Sequence, residues 1–204
     1  MRLGLYGGTF DPIHIGHLIL AEICREECRL DEVWFVVAGE PPHKRGERTS
    51  ARHRLEMVRL AVAGRREFEV SELETSRPGP HYSFETLEEV RRLRPDDDLF
   101  FLIGADSLLD LPQWREPNRI RELARLVVVN RPGIDAPLSD RVAAPDAPIF
   151  VEIPPIGVSS SDLRARLAAG RTCRFQIPRP VEAYIESHGL YLRDSIARPA
   201  SVDG

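Results

Sequence analysis

Six short apolar runs, at 3–6, 33–37, 68–71, 99–103, 126–130 and 149–153, recur along this chain. Several are continuous rather than alternating, which suits strands covered on both faces. Between them lie segments with helical spacing, at 18–29, 51–63, 84–94 and 117–124. In the second, Leu55, Val58 and Val62 share a face and Gly64 is a stop. In the third, Leu87 and Val90 turn inward and Pro95 ends the helix; Pro117 suits a first helical position in the fourth. This alternation predicts a doubly wound, parallel α/β sheet. Such sheets bind ligands beyond the C-terminal ends of their strands. The loops after the apolar runs are therefore where chemistry is expected.

Past residue 150 the pattern changes to two short helices, at 161–169 and 180–187, with Gly170 and Gly189 as stops. The expected organisation is one domain over 1–194, with a small C-terminal helical part from about 155 and a disordered tail at 195–204. A chain of 204 residues is long enough to bury a full core in that arrangement. Its net charge of −4 argues against a general nucleic-acid binder, though not against a local cationic pocket. No run approaches the ~18 apolar residues that a membrane span needs, and no signal-peptide pattern opens the chain, so a cytoplasmic location is expected. Cys24, Cys28 and Cys173 are odd in number and form no CxxC pair; they read as reduced, structural thiols.

The loop after the first run is the most distinctive. Gly7-Gly8-Thr9-Phe10-Asp11-Pro12-Ile13-His14-Ile15-Gly16-His17 passes from a strand through a glycine turn to a helix start. That geometry gathers backbone N–H groups and the positive end of a helix dipole, which suits a phosphate. His14 and His17 are three apart and can face one side. A histidine pair alone is more often structural or metal-binding; the glycines and the strand–helix context favour catalysis. The stretch matches neither common phosphate fingerprint, G-x-x-x-x-G-K-[ST] nor G-x-G-x-x-G.

Other strand-end loops carry related groups. Gly39-Glu40-Pro41-Pro42-His43-Lys44-Arg45, followed by Arg48 and Arg52, reads either as a solvated basic loop or as a cationic flap over phosphates. Gly104-Ala105-Asp106-Ser107 offers an acid for a ribose hydroxyl or a helix cap. Trp114 suits either the core or a stacked ring. Arg131-Pro132-Gly133 reads as a turn. In Ser159-Ser160-Ser161-Asp162-Leu163-Arg164, Ser160 or Ser161 suits an N-cap, and the helix start with Arg164 forms a second anion site. No carboxylate pair, Ser-His-Asp set or activated cysteine is visible. That favours catalysis by positioning and charge stabilisation.

At these residues the chain resembles the bacterial nicotinate-mononucleotide adenylyltransferases of the HxGH nucleotidyltransferase superfamily. The resemblance runs over nearly the whole chain. It rests on Gly7–His17, Pro41–Lys44, Arg77-Pro78-Gly79-Pro80-His81-Tyr82-Ser83, Gly104–Ser107 with Leu111-Pro112-Gln113-Trp114, and Ser159–Arg164. The first motif alone does not choose a substrate, since transferases acting on pantetheine phosphate or glycerol phosphate share it. His81 stands where serine is usual, Ser83 and Ser161 where threonine is usual, and Arg115 where an aromatic or histidine is common.

The resemblance implies a Rossmann-like nucleotidyltransferase fold, ATP and nicotinate mononucleotide as substrates, and Mg²⁺ bound with ATP rather than by protein ligands. It implies direct attack on the α-phosphorus, with His14, His17 and Arg164 as catalytic charge stabilisers. ATP would be bound by Gly7, Gly8, Thr9, Phe10, His14, His17, Gly104, Asp106, Ser159, Ser160 and Arg164. The acceptor would be bound by Lys44, Tyr82, Ser83 and Trp114. No nucleic-acid or membrane partner is implied, and a homo-oligomer is allowed. A sister enzyme with another acceptor, and a nucleotide sensor without turnover, are the rival readings.

Overall fold

The computed structural model describes residues 1–39, 49–130 and 147–192. β1 (Arg2–Gly8) is the strand on which the rest assembles. It pairs in parallel with β2 (Glu32–Val37) on one side and with β4 (Asp98–Gly104) on the other. β3 (Phe68–Ser71), β5 (Arg125–Asn130) and β6 (Ile149–Glu152) complete a six-stranded sheet in the order β3-β2-β1-β4-β5-β6. Every pairing is parallel.

The continuous apolar runs are explained by the period-two geometry of a strand. In β4, Phe100 and Leu102 enter one hydrophobic core, while Leu99, Phe101 and Ile103 enter a second on the opposite face. In β5, Val127 and Val129 face the first core, and Leu126 and Val128 the second. Both faces are covered, so neither parity can be polar.

Helices α1 (Ile15–Glu27), α2 (Ala51–Val62), α6 (Ser160–Ala168) and α7 (Arg179–Ser187) supply the first core with residues such as Leu20, Leu55, Leu163 and Val181. Helices α3 (Ser83–Leu93), α4 (Ala105–Asp110) and α5 (Pro117–Leu123) supply the second, through Leu87, Leu108 and Ile120 among others. The C-terminal helices thus share a core with the sheet. The expected helix stops hold, with Gly64, Gly170 and Gly189 all at positive φ.

Three expectations need correction. α1 begins at Ile15, three residues earlier than the apolar pattern suggests, because His14 rather than a small polar residue is its N-cap. The last strand ends at Glu152 and leaves Ile153 outside. The stretch after β4 is not a loop but the short helix α4, followed by a 3₁₀ turn at Leu111–Gln113. Six residues are too few for an apolar period to stand out from the strand before them. The expected tail at 195–204 lies outside the described residues.

The three cysteines are free and buried. Burial holds each thiol above its ordinary pKa, with Cys24 pushed up to about 12. An activated thiol nucleophile would need the opposite shift.

Candidate active site

β1 and β4 are neighbours at the centre of the sheet, and the strand order runs outward from them in both directions. An open parallel sheet leaves a ligand crevice at this switch point, beyond the C-terminal strand ends. Gly7 and Gly8 end β1 on one side of it. On the other side, Gly104 is the N-cap of α4, and Asp106 is exposed in that helix's first turn.

After Gly8 the chain turns sharply. Phe10 adopts φ 49°, in the left-handed region, while its ring is driven into the core at 2% exposure. A non-glycine residue there costs about 1–3 kcal/mol. Burying a phenylalanine ring returns about 1.5–3 kcal/mol, which offsets it. The ring then meets Tyr6 edge-on at 5.4 Å and His17 edge-on at 5.1 Å. Phe10 is therefore a wall against which the His17 imidazole rests.

The two histidines form one unit. Their rings stack with centroids 3.7 Å apart and planes 23° from parallel. The His14 backbone N–H donates to His17 Nδ1 at 3.2 Å. An accepting Nδ1 carries a lone pair, so in the neutral ring the proton lies on Nε2, which becomes the donor. His14 is buried, whereas His17 is partly open. Gly16 between them leaves little room for a side chain. A Cβ there would stand 3.0 Å from two atoms of the His14 ring.

The helix start is less open than its sequence suggests. The Ile15 N–H donates to Gln176 O at 3.0 Å, from the α6–α7 connection, and the His14 N–H is spent on His17.

Ser159–Arg164 is brought onto this loop from far along the chain. The Ser160 hydroxyl donates to Pro12 O at 2.9 Å, and Arg164 Nη1 donates to Asp11 O at 2.7 Å. The N-cap of α6 is Ser159, one residue before the expected Ser160 or Ser161. Its Oγ accepts from the Asp162 N–H at 3.1 Å and donates to Asp162 Oδ2 at 2.8 Å. Ser160 is instead the first residue of the helix, and its hydroxyl turns to Pro12.

Two contributors escaped the sequence reading. Arg54 is 3% exposed and holds the strand-end loops together. Its Nη1 donates to Thr9 O at 2.9 Å and to Ala38 O at 2.7 Å, its Nη2 to Gly39 O, and its Nε to Thr49 O at 3.0 Å. Its i, i+4 spacing to Val58 and Val62 places it on the buried face, and that spacing was the signal. The second is the stretch 153–158. With His14, Gly16 and Leu20 it lines a cavity of ≈ 230 Å³ beside the histidines. Its Pro154-Pro155 pair, just ahead of Ser159, marks extended chain at a strand end.

Of the residues expected to bind the acceptor, Tyr82, Ser83 and Trp114 lie on elements packed on the other face of the sheet. Tyr82 is the N-cap of α3 and Ser83 its first residue. The Arg115 guanidinium lies 4.7 Å over the Tyr82 ring. Trp114 is half-buried and meets Phe101 edge-on at 6.4 Å, so it is partly core and partly open. The Tyr82 N–H faces Glu85 Oε2 at 3.4 Å, so it is already approached by a carboxylate of its own helix. His81 is buried, with Nε2 3.2 Å from Arg77 O. Lys44 and the basic loop around it, together with 131–133, lie outside the described residues.

Comparison with known proteins gives a consistent picture. Residues 5–166 match the cytidylyltransferase-like family model. A protein of Thermomicrobium roseum named "Probable nicotinate-nucleotide adenylyltransferase" is 52% identical over 195 residues, covering 93% of this chain and 91% of its own. A protein of the same name from Thermus thermophilus is 51% identical over 194 residues, covering 94% and 100%. The solved Plasmodium falciparum nicotinic acid mononucleotide adenylyltransferase complexed with NaAD superposes with a TM-score of 0.77 at 21% identity. That match covers 93% of this chain and 97% of the other. At that identity the likeness is one of fold.

Proposed function

The chain belongs to the nicotinate-nucleotide adenylyltransferases of the cytidylyltransferase-like family, and on that premise we propose how its residues perform the reaction. It transfers the adenylyl group of ATP to nicotinate mononucleotide, giving nicotinate adenine dinucleotide and pyrophosphate. The observation that carries the mechanism is the joining of Ser160 and Arg164 to the loop that bears His14 and His17. Two anion-suited stretches become a single site at the switch point of the sheet.

The phosphates of ATP lie across the start of α1. The Nε2–H of His17 and the His14 ring donate to α- and β-phosphate oxygens, and Arg164 adds a full positive charge. The Ser160 hydroxyl is committed to Pro12, so α6 contributes through its backbone N–H groups and Arg164. Thr9 and Phe10 amides, and the glycines before them, let the chain approach the phosphates closely. The ribose lies against Gly104 and Asp106. The adenine enters the cavity formed with residues 153–158, whose largely apolar walls suit a flat heteroaromatic ring.

The acceptor lies toward α3. Trp114 stacks on its pyridine, the Tyr82–Ser83 region and Lys44 bind its charged groups, and its 5′-phosphate oxygen faces the α-phosphorus. Attack is in line and pyrophosphate leaves. The protein's contribution is to position the reactants and stabilise the charge that develops on the phosphoryl oxygens, with no covalent intermediate.

Nucleotidyl transfer of this class uses a divalent metal with ATP. Among the described residues no group of three His, Cys, Asp or Glu could hold a metal ion. We propose that the ion is Mg²⁺ carried by the nucleotide, since that ion keeps its waters and takes few protein ligands. Such an ion, held by the nucleotide beside His14, His17 and Arg164, would supply further offset of the phosphate charge.

Pyrophosphate release by the purified protein with ATP and Mg²⁺ is the test. Nicotinate mononucleotide should support it, and the amide mononucleotide should support it less. Equal rates would remove the acceptor preference. No release with either would leave a nucleotide-binding sensor.

A further inference from the structure

The loop that carries the histidines is gripped by a residue the mechanism does not use. Tyr191 follows α7 near the end of the described chain and adopts φ 65°. Its hydroxyl donates to Asp11 Oδ1 at 2.6 Å and lies 3.9 Å from Met57 Sδ. Asp11 is only 4% exposed. One residue therefore presents two acceptors in two directions. The Asp11 carboxylate takes Tyr191, while its backbone carbonyl takes Arg164 Nη1 at 2.7 Å.

This division has a chemical consequence. The carboxylate–phenol bond carries charge on one side only, whereas a carboxylate and a guanidinium carry opposite full charges and can bond through two N–H groups at once. The carboxylate is tethered one residue's length from the guanidinium, since Arg164 already bonds the Asp11 carbonyl. Among the described residues the two make no ion pair, and the carboxylate is turned to the phenol instead. A buried carboxylate that loses its partner must find another. Arg164 is the cation at hand. An Asp11–Arg164 pair would neutralise the charge meant for phosphate.

We infer that Tyr191 is a positioning residue for adenylyl transfer: it holds the Asp11 carboxylate away from Arg164 and so preserves the guanidinium charge for the phosphates of the nucleotide. The C-terminal segment after α7 is thereby part of the ATP site's construction, although it contributes no group that touches substrate. The phenol is suited to this. Burial, and then the neighbouring Asp11 carboxylate, hold its pKa above the ordinary tyrosine value, so it stays a proton donor throughout the working pH range. The inference rests on the phosphate role proposed for Arg164.

The test uses the full chain and inorganic pyrophosphate as the probe, with affinity read by calorimetry and the KM for ATP read alongside. Tyr191→Phe should weaken pyrophosphate and raise the KM for ATP by ~10-fold, the size expected for losing one bond to a charged group. Adding Asp11→Asn to it removes the competing charge, and should return both values to within about 3-fold of the starting protein. Thermal melts of each variant separate this from a structural role. A lower melting temperature in Tyr191→Phe with unchanged pyrophosphate affinity overturns the proposal. So does a weakened affinity that Asp11→Asn fails to restore. Arg164→Ala, run in parallel, tests the underlying reading. If it binds pyrophosphate as well as the starting protein, Arg164 is not a phosphate ligand, whatever Tyr191 does.

Discussion

The two halves of the site are built differently. The half proposed for the phosphates is assembled from backbone and buried side chains. His14, Asp11 and Arg54 are almost fully buried, and α6 is bonded directly to the β1–α1 loop. The half proposed for the acceptor holds the partly open rings of Tyr82 and Trp114, with Arg115 beside them, in face and edge contacts of 4.7 and 6.4 Å. The difference follows from the chemistry. Charge develops at the α-phosphorus, where a misplacement of about 1 Å can cost ~10²-fold in rate, so that half is over-determined. The acceptor must enter, be recognised and leave as product, so loosely built loops serve it better.

Substitutions should separate the halves. The largest effect is expected at His17. His17→Ala should lower kcat by ~10²-fold or more, as for loss of one preorganised donor, while the fold is retained by circular dichroism. A rate near that of the starting protein would refute the charge-stabilising role and with it the contrast between halves.

Trp114→Ala should act on the other half alone. It should raise the KM for nicotinate mononucleotide by ~10-fold, from about 1–2 kcal/mol of lost aromatic contact, and leave the KM for ATP within about 2-fold. Equal changes in both constants would mean that the halves are one unit.

Gly16→Ala tests how exact the phosphate half is. The added Cβ would stand 3.0 Å from the His14 ring, so the ring must shift by a few tenths of an ångström. A fall in kcat of ~3–10-fold is expected, given the sensitivity of rate to placement. No change in kcat would show that the stacked pair tolerates slack.

The smallest effect concerns neither half. The raised pKa of Cys24 means that the folded chain binds its proton more tightly than the unfolded chain. That contribution to stability is fully present below about pH 9 and is lost as pH rises toward 12. Cys24→Ala should remove this part of the alkaline loss in a chemical-denaturation series, with kcat/KM at neutral pH unchanged. An identical alkaline profile would exclude the thiol as its source.

Much of the fold was legible because the signals were local. Continuous apolar runs marked six strands, and glycine stops marked three helix ends. The site was legible as motifs, but not as contacts. Ser160 looked like a helix cap or a phosphate ligand, and its hydroxyl proved to join the start of α6 to the β1–α1 loop. Arg54 was hidden in a helix whose apolar residues drew the eye. The 153–158 stretch had no residue of obvious chemistry. Each of these acts through partners distant in sequence, which periodicity does not report.

The sequence by itself determined the parallel sheet, the strand-end position of the glycine–histidine loop and the residue types that suit phosphate. Those depend on spacing, turn chemistry and burial parity, which are properties of short segments. Only the tertiary structure decided that α6 closes on that loop, that His14 fixes the His17 tautomer, and that Tyr191 turns Asp11 from Arg164. Those depend on hydrogen-bond distances between groups as far as 180 residues apart, and folding alone sets them.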